Sequence, residues 1–428
     1  MERFGPGPLL ALRTPGRINL IGEHTDYNGG FVLPVALDRD ILCLVRPRND
    51  AIVQAVNVED PFQPFSFTLS TDIEPAPRGD WSNYVRGAGQ EICRHLGRAS
   101  LRGVDLCVSG SPPHGVPRGS GLSSSTALTV SAALAFVAAN GIDMDRVELA
   151  HLCSEAEWYV GTRGGMMDQF SALLSRRDHA LFLDCRPTSS QYTLEHVPIP
   201  GSVQIVLLNS GVHHENVRSE FNQRVAECKI GVRLLQQRFP CVTHLRDVTP
   251  EAFHLDAPCF WATLKETLPA RASAGELVQR GLDPRWLDAL TADHHLSHGT
   301  PFSVLPRCRH VVTENQRVLD GIAVLRAGEV ERFGPLMDQA HTSMSSDYEA
   351  SCPEVDFLVT TARQQPGVLG ARITGAGWGG GVVALVRTGY VPTWDKAVRT
   401  AYRQHTGLDC EIVVCRPGDG AGLMRCPG

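Results

Sequence analysis

Short apolar runs dominate the first sixty residues: LLALRTPGRI from Leu9, FVLPVAL from Phe31, ILCLVRP from Ile41 and IVQAVNV from Ile52. Each is rich in Val, Ile and Leu and bounded by Gly, Pro, Asn or Asp, the pattern of strands. The period then changes. Tyr84, Val85, Ala88, Ile92 and Leu96 recur at helical spacing over residues 81–96, and residues 104–108 alternate like a strand before a loop at 110–121. A long small-and-apolar helix is expected over 123–139 and a second over 146–159. HALFLDC and VQIVLLN return to strand pattern within 180–210, and a charged amphipathic helix follows at 215–238. Residues 240–305, frequent in Pro, His and Asp, suggest only two short helices, near 270–280 and 284–291. Helical pattern resumes over 307–346. The chain ends with GARITGAGWGGGVVALV, a helix and CEIVVCRPG, an antiparallel β and α layer. No internal repeat of fixed period is visible.

Composition narrows the class. A chain of 428 residues is long enough for two or three domains, and 43% hydrophobic with 20% charged residues is ordinary globular usage. The net charge of −6, with no run of five like charges, makes nucleic acid an unexpected partner. The longest apolar stretch, 126–139, contains Thr129 and Ser131 and is shorter than the ~20 residues a membrane span needs. The opening MERFGPGPLL lacks the order of a secretory signal, so the expected location is the cytoplasm. Thirteen cysteines without a CxxC pair read as reduced thiols, several of them buried. The His294, His295 and His298 cluster lacks a nearby Cys or ordered carboxylate spacing and reads as a solvated loop rather than a metal site.

Four segments concentrate chemistry. HGVPRGSGLSSSTAL stands between a strand and a helix, where glycines let successive backbone N–H groups turn toward one anion at the helix's positive end. It has neither the GxxxxGK[ST] nor the GxGxxG pattern, and its serines also suit a plain helix cap. RINLIGEHTDYNGG crowds Glu23, His24 and Asp26 between apolar strands, offering acceptors and a donor for sugar-like hydroxyls; a hairpin turn at Asn28-Gly29 with surface charges is the simpler reading. GTRGGMMDQF brings a glycine-rich approach to Asp168, which could serve only as a cap. TGAGWGGG places glycines where backbone comes close to a partner, or where a strand bulges.

Together and in this order, the four segments resemble the galactokinases, within the superfamily that also holds homoserine, mevalonate and phosphomevalonate kinases. TPGRINLIGEHTDYNGGFVLP is similar to the galactokinase signature almost letter for letter. GSGLSSSTAL looks like the superfamily's phosphate loop, RITGAGWGGG like its C-terminal glycine motif, and SSDYEASCPEVD at 345–356 like a further galactokinase segment. The resemblance implies that Asp168 faces the anomeric hydroxyl of a sugar, with Arg17 beside it to stabilise negative charge on the attacking oxygen and the transferred phosphoryl. It further implies that Glu23, His24, Asp26 and the backbone at Gly165 hold sugar hydroxyls. Gly119, Ser120, Gly121, Leu122, Ser123, Ser124 and Ser125 would wrap the ATP phosphates, and Gly375 and Gly377 would belong to a segment closing over the site. Ser125 and Glu157 would be Mg2+ ligands.

The implied fold is α+β: a two-domain small-molecule kinase with a β-rich N-terminal half, a layered α/β C-terminal half and the active site in the cleft between them. The expected division is residues 1–210, with the sugar signature and phosphate loop, and 211–428, with the closing glycine motif and an insertion at 240–305. The implied reaction is transfer of the ATP γ-phosphoryl group to the anomeric hydroxyl of galactose. Four departures qualify it. The family's sugar-contacting tyrosine is replaced by Phe221 in Ser-Glu-Phe-Asn, which removes a hydroxyl from the expected sugar shell. The spacing from Glu157 to Asp168 resembles that of N-acetylgalactosamine kinases and fungal galactokinases. The lead before the first strand is shorter than the family's usual N-terminal helix, and 240–305 is expected to alter surface or lid features. A 1-kinase for N-acetylgalactosamine, arabinose or a uronic acid, and an inactive sugar and ATP sensor, stay open as alternatives, as does monomer or weak oligomer.

Overall fold

The computed structural model describes residues 9–60, 62–97, 101–111, 114–116, 121–161, 164–187, 191–212, 217–296 and 299–424. In chain order, strands β1 (Leu10–Asn19), β2 (Phe31–Val32), β3 (Pro34–Pro47), β4 (Ile52–Asn57) and β5 (Phe65–Thr68) lead to α1 (Ser82–His95) and β6 (Val104–Ser109). Helices α2 (Ser124–Ala139), α3 (Arg146–Tyr159) and α4 (Met167–Leu174) follow, then β7 (His179–Asp184), β8 (Leu194–Pro198) and β9 (Val203–Asn209). The chain continues through α5 (Val217–Gln236), α6 (Ala257–Thr267), α7 (Ala274–Gln279), α8 (Pro284–Asp293), α9 (Leu305–Arg326), α10 (Phe333–Ser346) and α11 (Pro353–Arg363). It ends with β10 (Val368–Thr374), β11 (Gly381–Arg387), α12 (Val391–Thr406), β12 (Glu411–Cys415) and β13 (Gly422–Leu423).

Contacts divide the chain into two units with interleaved boundaries. The first holds residues 1–18, 34–181 and 415–428; the second holds 19–33 and 182–414. A single break at residue 210 therefore does not describe the contacts: 19–33 and 182–210 belong with the C-terminal half, and the chain's end belongs with its start. Pairing is the physical reason. β2 joins β7 through Phe31↔Asp184 and Val32↔Leu183, while β13 joins β1 through Leu12↔Leu423.

In the first unit a six-stranded sheet runs β13-β1-β3-β6-β4-β5, with β4 parallel to β6. Helix α2 packs against β3 and against α1, α3 and α4. Surrounded in this way, it is apolar on every face: Ala127, Val130, Ala132, Ala133, Ala135 and Phe136 are all buried. Asp145 caps α3 by accepting from the backbone N–H groups of Val147 and Glu148.

In the second unit an antiparallel sheet runs β10-β11-β9-β12, and a small sheet runs β2-β7-β8. Helices α10 and α11 cover β10, and α12 packs on α11. The apolar strands earn their pattern here: Val382, Ala384, Val386, Val206 and Leu208 join one buried core. Residues 240–305, the part of the sequence with the least readable pattern, contribute to that same core through Leu245, Val248, Phe260, Leu264, Leu277, Leu287 and Leu290. Three α-helices form there among the described residues, not two, and α6 was missed. Asp256 caps α6 and Ser273 with Glu276 forms a capping box on α7, local signals too short to show a helical period. His294 is a correction to the solvated reading: it is 2% exposed, ends α8, and its Nε2 lies 3.1 Å from Lys229 Nζ. His295 is exposed, and His298 lies outside the described residues.

Candidate active site

The first unit gathers its functional side chains at the end of β1 and the heads of α2 and α4. Arg17 is 6% exposed and grips Asp168 with two parallel bonds, Nε to Oδ1 at 2.6 Å and Nη2 to Oδ2 at 2.8 Å. Its third nitrogen, Nη1, donates to the carbonyl of Gly121 at 2.6 Å, and its backbone N–H donates to Leu122 O at 3.1 Å. One guanidinium thus fixes both the carboxylate and the loop ahead of α2; such planar bidentate pairing is specific to arginine. The Ser123 hydroxyl donates to Asp168 Oδ2. Ser123 itself sits at φ 55, left-handed for a non-glycine residue, at the N-cap of α2. Strain of that kind costs on the order of 1–3 kcal/mol and is held in place by surrounding contacts, here the bonds of Arg17 and Asp168.

Glu157 on α3 accepts from the Thr126 hydroxyl of α2. Burial pushes its carboxyl up to about 7; the Thr126 bond opposes that shift and the charge of Asp168 adds to it. A carboxyl so placed gains from a nearby cation, and a carboxylate beside the Thr126 hydroxyl offers the oxygen donors that a hard divalent ion requires. Among the described residues no group of three or more His, Cys, Asp or Glu side chains is arranged to hold a metal by itself. Gly119 and Ser120 lie outside the described residues. Gly165 precedes α4, two residues from the helix that carries Asp168.

The second unit holds the sugar-like motif. Gly22 is at φ 100, and a Cβ there would lie 2.7 Å from Phe31 O, so only glycine lets the segment fold back on β2. Residues Asp26–Asn28 form a 3-10 turn closed by Gly29 at φ 64, in place of the two-residue hairpin considered from the sequence. Glu23 is 2% exposed, and its Oε1 accepts from Gly375 N at 2.8 Å, Thr374 Oγ1 at 3.1 Å and Arg372 Nη1 at 3.3 Å. Glu23 therefore ties this motif to the glycine motif after β10. Helix α9 holds the segment from behind: Glu314 Oε1 accepts from Gly22 N at 2.8 Å, His310 Nε2 lies 3.1 Å from Glu23 O, and Asn315 Oδ1 accepts from Phe31 N at 2.9 Å.

His24 is at φ 61 and 4% exposed, with Nδ1 2.8 Å from the Tyr27 hydroxyl and Nε2 3.0 Å from Ala376 O. Burial, reinforced by His310, pulls its imidazole down to about 3, so it is neutral at physiological pH. Around it stand the rings of Tyr348 at 4.5 Å, Phe221 at 5.5 Å and Trp378 at 6.1 Å. Asp26, at the start of the 3-10 turn, is partly exposed beside this box. In the glycine motif, a Cβ on Gly377 would lie 2.2 Å from Ala350 O, and one on Gly379 2.7 Å from Val212 O. At those two positions the close partner is the chain's own backbone. Trp378 N donates to Ala350 O at 2.8 Å, which explains why the 345–356 segment accompanies this motif.

The structure thus brings Arg17, Gly121, Leu122, Ser123 and Asp168 together in one unit, with Glu157 reaching α2 at Thr126, and Glu23, His24, Phe221, Gly375 and Gly377 together in the other. Sequence reasoning missed Tyr27, Arg224, Tyr348 and Arg372. Arg224 donates from Nε to Tyr348 O at 2.7 Å and lies 5.5 Å from the Trp378 ring. Tyr27, Tyr348 and Arg372 stood inside quoted motifs but were not singled out, and a buried arginine beside an acid is visible only once the fold pairs them.

The chain resembles known proteins over nearly its whole length. The galactose-binding signature of galactokinases matches residues 1–47, and the N- and C-terminal domains of the GHMP kinases match 83–176 and 322–397. The chain is 40% identical to a galactokinase of Roseiflexus sp. (strain RS-1) over 99% of its own length and 95% of that protein. It is 38% identical to a galactokinase of Chloroflexus aurantiacus, with the same shares covered. The crystal structure of Lactococcus lactis galactokinase complexed with galactose superposes with a TM-score of 0.81 at 30% identity, covering 99% of this chain and 97% of that one. A homoserine kinase from Cytophaga hutchinsonii shares the fold alone, at 13% identity and a TM-score of 0.57. The chain belongs to the galactokinase family.

Proposed function

We propose that the protein transfers the γ-phosphoryl group of ATP to O1 of galactose. The observation that carries the reading is the Arg17–Asp168 fork, locked to the loop that opens α2. In the reaction, O1 forms a bond to the γ-phosphorus, the bond from that phosphorus to the β–γ bridging oxygen breaks, and ADP leaves. Asp168 accepts a hydrogen bond from the O1 hydroxyl, orients it and takes up or passes on its proton, while Arg17 stabilises charge on the attacking and transferred oxygens. Positioning and charge stabilisation carry most of such a transfer.

The ATP phosphates are assigned to the loop from Gly119 to Ser125 and the first turn of α2, whose free N–H groups favour anions. Gly375 and Gly377, both at positive φ, are assigned to the same nucleotide. Ser125 and Glu157 fit Mg2+, which when bound neutralises phosphate charge. Asp26, Glu23 and the Gly165 backbone are assigned to the sugar hydroxyls, with Phe221 as an apolar wall. The free thiols of the described cysteines suit a reducing compartment, and the cytoplasm is the location assigned. No described helix is long and apolar enough to cross a membrane.

Phe221 favours a second reading, a 1-kinase for a related sugar, because a wall without a hydroxyl discriminates less on the substrate's polar groups. ADP release with Mg2+ and ATP, measured across galactose, N-acetylgalactosamine, glucose, mannose, arabinose, galacturonate and glucuronate, separates the two. Galactose leading by a wide margin supports the first reading. Another sugar leading rewrites the substrate around Phe221, and galactose binding without turnover points to the sensor.

A further inference from the structure

The hydrogen bonds around His24 have only one consistent direction. Ala376 O is a carbonyl and accepts only, so His24 Nε2 carries the proton in the 3.0 Å contact. His24 is neutral, its imidazole pulled down to about 3 by burial, so Nδ1 is an acceptor. The Tyr27 hydroxyl must then donate across 2.8 Å and spends its one proton there. Tyr27 and Tyr348 hydroxyl oxygens are 2.6 Å apart, a contact that requires Tyr348 to donate. Cys228 Sγ lies 3.4 Å from the Tyr348 hydroxyl, which has no proton left, so the thiol donates; burial pushes that thiol up to about 12 and keeps it protonated. The chain of donors runs from Cys228 through Tyr348 and Tyr27 to His24 and ends on the glycine motif.

Two consequences follow. Both ring nitrogens of His24 are occupied within the protein, so the ring has no polar atom left for a sugar hydroxyl. And the relay joins α5, the 345–356 segment, the sugar motif and the glycine motif through the buried His24, Tyr348 and Cys228 and the half-buried Tyr27. We propose that Tyr27 and Tyr348 are positioning residues for the sugar: they hold His24 in its Nε2–H form, and with it the left-handed turn that presents Asp26. The proposal rests on the galactose 1-kinase reading for its kinetic test but not for its spectroscopic one.

The spectroscopic test uses the wild-type protein, labelled with 15N at histidine. The expected result is a neutral His24 with the proton on Nε2, unchanged between pH 8 and pH 5 and unchanged in protonation by adding galactose. A His24 that titrates in that range, or one whose proton sits on Nδ1, overturns the proposal. The kinetic test compares Tyr27→Phe, Tyr348→Phe, Cys228→Ser and Cys228→Ala. Each phenylalanine variant is expected to raise the galactose KM by about five- to tenfold, the effect of one lost hydrogen bond, with the ATP KM unmoved. Cys228→Ser keeps a donor and is expected to stay nearer wild type than Cys228→Ala. Equal rises in both KM values, or none in either, contradict the positioning role. Absence of turnover by the wild type with galactose would instead defeat the substrate assignment and leave the tautomer result standing.

Discussion

Asp168 carries three donated hydrogen bonds, two from Arg17 and one from Ser123, and this settles what its replacement should do. Asp168→Asn keeps the shape but replaces one acceptor oxygen with an NH2 donor facing Arg17. Turnover is expected to fall by at least about 100-fold, as for loss of an aligned acid–base or charge-stabilising group, while galactose binding stays measurable by calorimetry. Retained turnover would remove Asp168 from the chemistry. Phe221 stands 5.4 Å from the Tyr27 ring and 5.5 Å from His24. Phe221→Tyr is expected to change the ratio of kcat/KM for galactose to that for N-acetylgalactosamine, and an identical ratio excludes this position from specificity.

Buried neutral histidines also give the fold a pH dependence. His310 is fully buried and pulled down to about 4, mainly by desolvation, against an ordinary value of 6.5. The unfolded chain takes up its proton first as pH falls, so the stability His310 contributes is complete above 6.5 and is lost from there toward 4. Each such group steepens the decline by up to about 1.4 kcal/mol per pH unit. His310→Gln should therefore show a flatter fall of Tm between pH 6.5 and 4.5 than wild type; parallel curves would contradict the assignment. At this scale the sequence offered candidates: Glu23, His24 and Asp26 stand in a short polar segment between apolar ones, while Arg17 and Asp168 were named through the family resemblance, and the structure joins Arg17 to Asp168. The relay was not, since Tyr27, Cys228 and Tyr348 are far apart in the chain and each reads alone as an ordinary core side chain.

Among the elements, α2 shows the limit of pattern reading most clearly. Its run of small apolar residues announces a helix, yet a helix apolar all round has no face to point the reader toward its neighbours. Only the packing of α1, α3, α4 and β3 around it explains the composition. Long strongly patterned elements, such as α3, α5 and β9, fall within a few residues of their expected spans. Helices α6 and α7 were missed or blurred because they are short and begin at caps, not at a visible period. The glycine motif was legible as a place of close approach, and the structure supplies the partner. Gly377 is at φ 96 with Ala350 O where a Cβ would go. Gly377→Ala therefore combines backbone strain with a clash against backbone, and a Tm drop of about 4 °C or more is expected in a thermal melt. An unchanged Tm would show that the motif shifts freely.

For the whole molecule, the sequence supplied the class of fold and the order of the motifs but not the division of the chain. The interleaving arises because β1 and β3 belong to one unit while residues 19–33 between them belong to the other. No local pattern marks such an excursion, since Asn19 and Pro34 flank it without a linker-like composition. Residues 240–305, expected as an insertion altering surface or lid features, carry a row of core leucines into the second unit. The most direct test is a 31P and 1H spectroscopic assay of the product formed from galactose, Mg2+ and ATP, with Asp168→Asn as the blank. The expected product is a phosphate ester on the anomeric carbon, formed together with an equal amount of ADP by the wild type, with a rate reduced by at least about 100-fold in the variant. Phosphate on another carbon, no ester at all, or equal product from both proteins would contradict it.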